Sequence, residues 1–146
     1  MVYFVSDVHL GAGTPEQAHR VERRFTAWLD RVAGDAEAIF ILGDLFDFWF
    51  EYERVVPRGF VRTLGRLAGL AARGVRIVFL TGNHDMWVGD YLRRECGMEV
   101  YTSPQVVRIA GRRVFVAHGD NMKIGRRPML WFMNAVFRSR ALRFLF

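Results

Sequence analysis

Three of the four histidines in this 146-residue chain stand in short polar clusters with aspartate, and each cluster closes an apolar run. The clusters are Asp7-x-His9, Gly82-Asn83-His84-Asp85 and His118-Gly119-Asp120; a fourth, Gly43-Asp44-x-x-Asp47, brings two carboxylates. Carboxylate, amide oxygen and imidazole together suit borderline-hard divalent ions such as Mn²⁺, Fe²⁺ or Zn²⁺. A carboxylate such as Asp44 can bridge two ions roughly 3.5–4 Å apart, a spacing that serves hydrolysis at phosphorus. Asp47, three residues on, is better placed to hold a ligand histidine than to ligate.

Each cluster alone has a plainer reading. Asp7-x-His9 makes a turn with a capping aspartate, and Gly-Asn-His-Asp is a respectable turn sequence. Four of them at the ends of four apolar runs favour a metal site built from Asp7, His9, Asp44, Asn83 and His118. Gly43, Gly82 and Gly119 let the backbone bend sharply beside those ligands. His19, next to Arg20 on the polar side of a helical pattern, is expected in solvent.

The apolar runs 2–9, 38–44, 75–85 and 112–120 are rich in β-branched and aromatic residues, as in strands buried on both faces. Asp7 and His9, two apart on such a strand, are expected to share a face. Between the first three runs lie helical patterns over 16–33 and 58–73. Thr14 and Pro15 suit N-cap and N1 of the first, and Gly74 suits the residue after the second. Strand and helix in alternation predict βαβ units and a layered α/β domain, with strand carboxyl ends meeting at one crevice. A short helix near 90–96 and a strand pair over 98–109 and 112–117, turning at Gly111-Arg112, complete the pattern.

An apolar fraction of 51% supports a core and argues against disorder. The single Cys96 excludes an internal disulfide and fits a reducing cytosol. The start, MVYFVSDVHLG, has no basic region and does not read as a signal peptide. Of 21 basic residues, six lie in 121–146, where there is no acidic one. Residues 1–120 are therefore balanced, and the whole excess of +6 sits in the last 26 positions. That location points to an anionic partner there.

The series D-x-H, G-D-x-x-D, G-N-H-D and H-G-D resembles the calcineurin-like metallophosphoesterase superfamily. The wording around it, SDVHLG, ILGDLFDFWFEY, VVPRGF, TGNHDMWVGDYL and VAHGD, is most similar to the bacterial UDP-2,3-diacylglucosamine diphosphatases of lipid A biosynthesis. The resemblance implies Asp7, His9 and Asp44 around one ion and Asp44, Asn83 and His118 around a second, manganese being expected. It implies a catalytic His84 beside the scissile phosphate, oriented by Asp85, with Asn83 also touching substrate. The implied reaction splits the pyrophosphate of UDP-2,3-diacylglucosamine into UMP and 2,3-diacylglucosamine 1-phosphate. The implied location is the cytoplasm, peripheral to the inner membrane. Other phosphoesterases of the fold, on a soluble nucleotide or phosphoprotein, and a non-catalytic scaffold are the competing functions.

One departure stands out. The superfamily supplies a final G-H-x-H motif, and this chain has no histidine after His118. A core over 1–120, a helical lid segment over 121–146 and an ending on Phe144-Leu145-Phe146 predict an incomplete domain whose natural chain continues. The final segment, with Trp131, Phe132 and six cations, has three readings. It is a pair of core helices, a lid for acyl chains on an anionic membrane, or, without any supporting motif, a nucleic-acid surface. No nucleic-acid partner is expected. Under the lid reading Lys123, Arg126 and Arg127 join Trp49 in binding the lipid-linked UDP-sugar, while Tyr52 is a further candidate at the crevice.

Overall fold

The computed structural model describes residues 1–119. The elements run β1 (Val2–Val5), α1 (Pro15–Val32), β2 (Ala38–Leu42), α2 (Val61–Ala72), β3 (Arg76–Leu80), α3 (Tyr91–Cys96), β4 (Glu99–Tyr101), β5 (Gln105–Ile109) and β6 (Arg112–Val116). β1 to β4 form a parallel sheet in sequential order, and β5 and β6 form a separate antiparallel hairpin. Right-handed crossovers between strands in sequential order put α1, α2 and α3 on the same face. The main core accordingly lies there, with Leu29, Ile39, Ile41, Leu67, Ile77, Phe79 and Leu92 fully or nearly fully buried. The hairpin covers the opposite face, where Phe40, Val78 and Leu80 meet Val107 and Val116.

Local chemistry fixes the helix ends. Thr14 caps α1 through its hydroxyl, which accepts from the Gln17 N–H, while the Gln17 side chain accepts from the Thr14 N–H; Pro15 opens the first turn. α2 ends in two reverse bonds, Gly74 N–H to the Ala71 carbonyl and Val75 N–H to the Leu70 carbonyl, with Gly74 at φ +90°. Only glycine takes that φ cheaply.

Three expectations are corrected. The run over 98–109 is not one strand: Glu99–Tyr101 pairs in parallel with β3, and Gln105–Ile109 belongs to the hairpin. The hairpin turns at Ala110-Gly111, both at positive φ, one residue earlier than expected. Burial on both faces holds for β2 and β3 only. β1 is an edge strand with Phe4 47% exposed, and β6, packed on one side, leaves Arg112, Arg113 and Phe115 in solvent.

Candidate metal centre

The loops that follow β1, β2 and β3 run on side by side. Asp7 N–H donates to the Gly43 carbonyl (3.2 Å), His9 N–H to Asp44 (3.0 Å) and Leu10 N–H to Leu45 (2.9 Å). Further along, Trp49 N–H reaches the His84 carbonyl at 3.4 Å and Glu51 N–H the Trp87 carbonyl at 3.1 Å. The backbone is strained where these loops leave the sheet: Asp7, His9 and Asp44 have φ of 55°, 50° and 52°. Only five non-glycine residues have positive φ among the described residues, and three of them are proposed ligands. Such strain persists where surrounding contacts fix it, typically at functional sites. It also corrects the route by which Asp7 and His9 come together. β1 ends at Val5, so both sit in the turn beyond it, and strand alternation does not orient them.

The side chains converge on Asp44, which is buried. Its Oδ2 lies 3.4 Å from His118 Nε2 and 3.8 Å from His9 Nε2, and its Oδ1 accepts the His84 N–H at 3.1 Å. Ligand atoms of His9, Asp44 and His84 fall within 4.8 Å of one another, as do those of Asp7, Asp44 and His118. Asp44 is common to both triads. The pairing differs from the implied one in grouping Asp7 with His118 and His9 with His84.

Two imidazoles have their tautomer set by backbone. His118 Nδ1 is 2.8 Å from the Leu42 carbonyl and His84 Nδ1 is 2.8 Å from the Asp47 carbonyl. A carbonyl only accepts, so each Nδ1 carries the proton and each neutral ring keeps its lone pair on Nε2. That is the arrangement a ligating histidine needs. The Asp47 carboxylate stands 3.6 Å from His9 Nδ1 and 3.5 Å from His84 Nδ1, beside both rings. Oxygen and nitrogen donors around one shared carboxylate fit a divalent cation.

Two glycines make the approach possible. A Cβ on Gly43 (φ +88°) would collide with the His118 ring, and one on Gly82 with the Asp44 carboxylate.

Asp85 does not orient His84 as expected. It is fully buried, with Oδ1 accepting from Gly82 N–H at 2.7 Å and Oδ2 from Phe46 N–H at 3.2 Å. It clamps the loop after β2 to the loop after β3, while Asp47 positions the His84 ring. Burial pushes the Asp85 carboxyl up to about 6, opposed by the backbone donors and reinforced by the Asp44 charge. Asn83, on the same loop, is exposed, as is His19 on α1.

The aromatics of 46–52 also sort themselves. Trp49 does not reach the crevice: it is fully buried, rings tilted against Phe46 at 4.2 Å, with its indole N–H donating to Glu51 at 2.9 Å. Phe48 and Tyr52 stay about half exposed and, with Phe50, Val55, Val56, Pro57 and Trp87, line an apolar pocket of about 420 Å³. Glu51 was not foreseen. Its buried carboxylate takes the Trp49 indole and the Tyr91 N–H (3.2 Å), and a Cβ on Gly89 would strike it. A glutamate between aromatics, facing a glycine loop, was the available signal. Lys123, Arg126, Arg127 and Asp120 lie outside the described residues.

A family model described as calcineurin-like phosphoesterase matches residues 1–138. A protein of Porphyromonas gingivalis named UDP-2,3-diacylglucosamine hydrolase is 43% identical over 99% of this chain and 55% of its own. Proteins of the same name from Stutzerimonas stutzeri and Neisseria meningitidis serogroup B are 34% and 33% identical over 84% and 94% of this chain. The alignments cover 49% and 56% of those proteins, so the chain spans about half the length of the curated relatives it matches.

Proposed function

The chain belongs to the calcineurin-like phosphoesterase family, and from that premise we propose that it builds a two-metal centre for hydrolysis of UDP-2,3-diacylglucosamine. The products are UMP and 2,3-diacylglucosamine 1-phosphate. The observation that carries the reading is the sharing of Asp44 between the two triads. Asp7, His9, Asp44, Asn83 and His118 are the proposed ligands, and manganese is the proposed metal. Bound there, the ions supply Lewis-acid charge and a water acidified toward a pKa of about 7.

The chain's own residues do the rest. Asp44, His118 and His9 would hold the ions, and the Asp47 carboxylate, beside both rings, keeps His9 and His84 from turning. His84, with Nδ1 held by the Asp47 carbonyl, keeps Nε2 free for the substrate, and there, protonated, it would donate to a phosphate oxygen or to the departing phosphate. Water adds to one phosphorus, the bond to the bridging oxygen breaks, and the sugar phosphate leaves.

A lipid-bearing substrate is supported by two features besides the relatives' names. The apolar pocket opens on the loops that carry Asp47 and His84. Residues 121–146 add cations and aromatics to the sequence directly after the last ligand cluster. A soluble nucleotide gives no reason for either. The deciding experiment follows UMP release from UDP-2,3-diacylglucosamine with Mn²⁺, beside hydrolysis of an aryl phosphate. Preference for the lipid-linked substrate is expected; preference for the aryl ester overturns the substrate assignment.

A further inference from the structure

Three carboxylates are buried among the described residues, Asp44, Asp85 and Glu51, and only Glu51 has no place in the centre so far. A buried carboxylate is costly unless a cation or hydrogen bonds offset its desolvation. None of the ion pairs among the described residues includes Glu51. Its compensation comes from two donors instead: the Trp49 indole N–H on Oε1 at 2.9 Å and the Tyr91 N–H on Oε2 at 3.2 Å. Tyr91 opens α3, whose N-cap residue Asp90 makes no capping bond of its own. Because both partners donate, the position needs two acceptors, and a glutamine side chain offers one. Gly89 closes over Oε2, where a Cβ would strike it.

The bonds around Glu51 lead to His84. Glu51 N–H donates to the Trp87 carbonyl at 3.1 Å, Trp49 N–H to the His84 carbonyl at 3.4 Å, and His84 Nδ1 to the Asp47 carbonyl at 2.8 Å. Residues 47, 49 and 51 thus hold 84, 87 and 91 in one parallel register, with Phe50 bridging Trp87 between them. Trp49 is held twice, by its backbone on His84 and by its indole on Glu51. We propose that Glu51 is a positioning residue for His84: its carboxylate locks this register and so keeps the Asp47 carbonyl on His84 Nδ1. A histidine tautomer is set by the partner of its ring nitrogens, so the lock decides which nitrogen faces substrate. The effect on turnover rests on the catalytic role proposed for His84 above; the lock itself does not.

The test reads the imidazoles of the full, metal-free chain by nitrogen–proton correlation spectra with the rings neutral. In the unaltered chain His84 and His118 should both carry the proton on Nδ1, held by Asp47 and Leu42 respectively. Glu51→Gln should shift His84 toward the Nε2-protonated tautomer and leave His118 as it is. Gly89→Ala, which keeps the carboxylate but displaces it, should do the same, whereas Glu53→Gln, the same change at an exposed position, should do neither. With Mn²⁺, Glu51→Gln should lower kcat roughly 10–100-fold and leave KM within about twofold, as a misplaced catalytic group does. An unmoved His84 in both Glu51→Gln and Gly89→Ala would overturn the proposal. Equal disturbance of His84 and His118 would overturn it too, since a general loss of structure spares neither ring. Should His84→Ala leave turnover intact, the catalytic reading falls, and the spectra still decide the lock.

Discussion

Asp44 Oδ2 stands 3.4 Å from His118 Nε2, and the other nitrogen of that ring donates to the Leu42 carbonyl at 2.8 Å. The strand that delivers Asp44 thus also orients its histidine partner. Leu42 ends β2, Gly43 makes room for the ring, and Asp44 faces it.

Gly43→Ala tests that relationship. The φ of +88° costs an L-residue about 1–2 kcal/mol, and the new methyl group would displace the His118 ring. We expect urea denaturation to report a loss of at least about 2 kcal/mol. An unchanged midpoint would mean that the ring does not sit against Gly43.

His84→Ala separates catalysis from ligation. With Nδ1 bound to the Asp47 carbonyl, His84 is proposed to act through Nε2 on substrate. Turnover should fall by roughly 10²–10⁴-fold with metal content unchanged. Loss of metal would reassign His84 as a ligand, since it lies in one triad with His9 and Asp44.

Cys96 closes α3 inside the core at 3% exposure, and burial first, then Glu95, raises its thiol to about 11. At pH 8 the folded chain should react with a thiol reagent roughly 100-fold or more slowly than in denaturant. Equal rates would place Cys96 outside the core.

The Arg76–Glu99 pair ties β3 to β4 by two bonds of 2.7 Å. Arg76 holds the Glu99 carboxyl below its ordinary value of 4.5. A depressed folded pKa contributes stability at pH above that ordinary value, lost as pH falls through the folded one. Both side chains are about 40% exposed, so Glu99→Gln should cost under about 1 kcal/mol at pH 7. The difference from the unaltered chain should vanish in acid. A constant difference across pH would remove the ion pair from the account.

Much of this was legible in the sequence because strand ends announce themselves. Asp44 and His118 follow apolar runs directly, but β2 belongs to the parallel sheet and β6 to the separate hairpin, so their meeting also needs the hairpin to pack on the sheet's face. Asp7 and His9 were singled out for their donor chemistry, but the route that brings them together was misread, since positive φ leaves no mark on an alternation pattern. The aromatics around Asp47 could not be sorted, because Phe48 and Trp49 are chemically alike and loop pairing with 84–87 decides which is buried. Asp85 read as a partner of its neighbour His84, whereas its two oxygens satisfy buried backbone donors on different loops. Backbone needs of that kind are invisible until the loops are folded.

The most direct test of the centre is calorimetric titration of the chain with Mn²⁺, repeated on Asp44→Ala with helix content checked by circular dichroism. Shared ligation predicts that Asp44→Ala weakens every Mn²⁺ site by at least about 100-fold while the helices remain. Mn²⁺ binding that survives Asp44→Ala unchanged would contradict it.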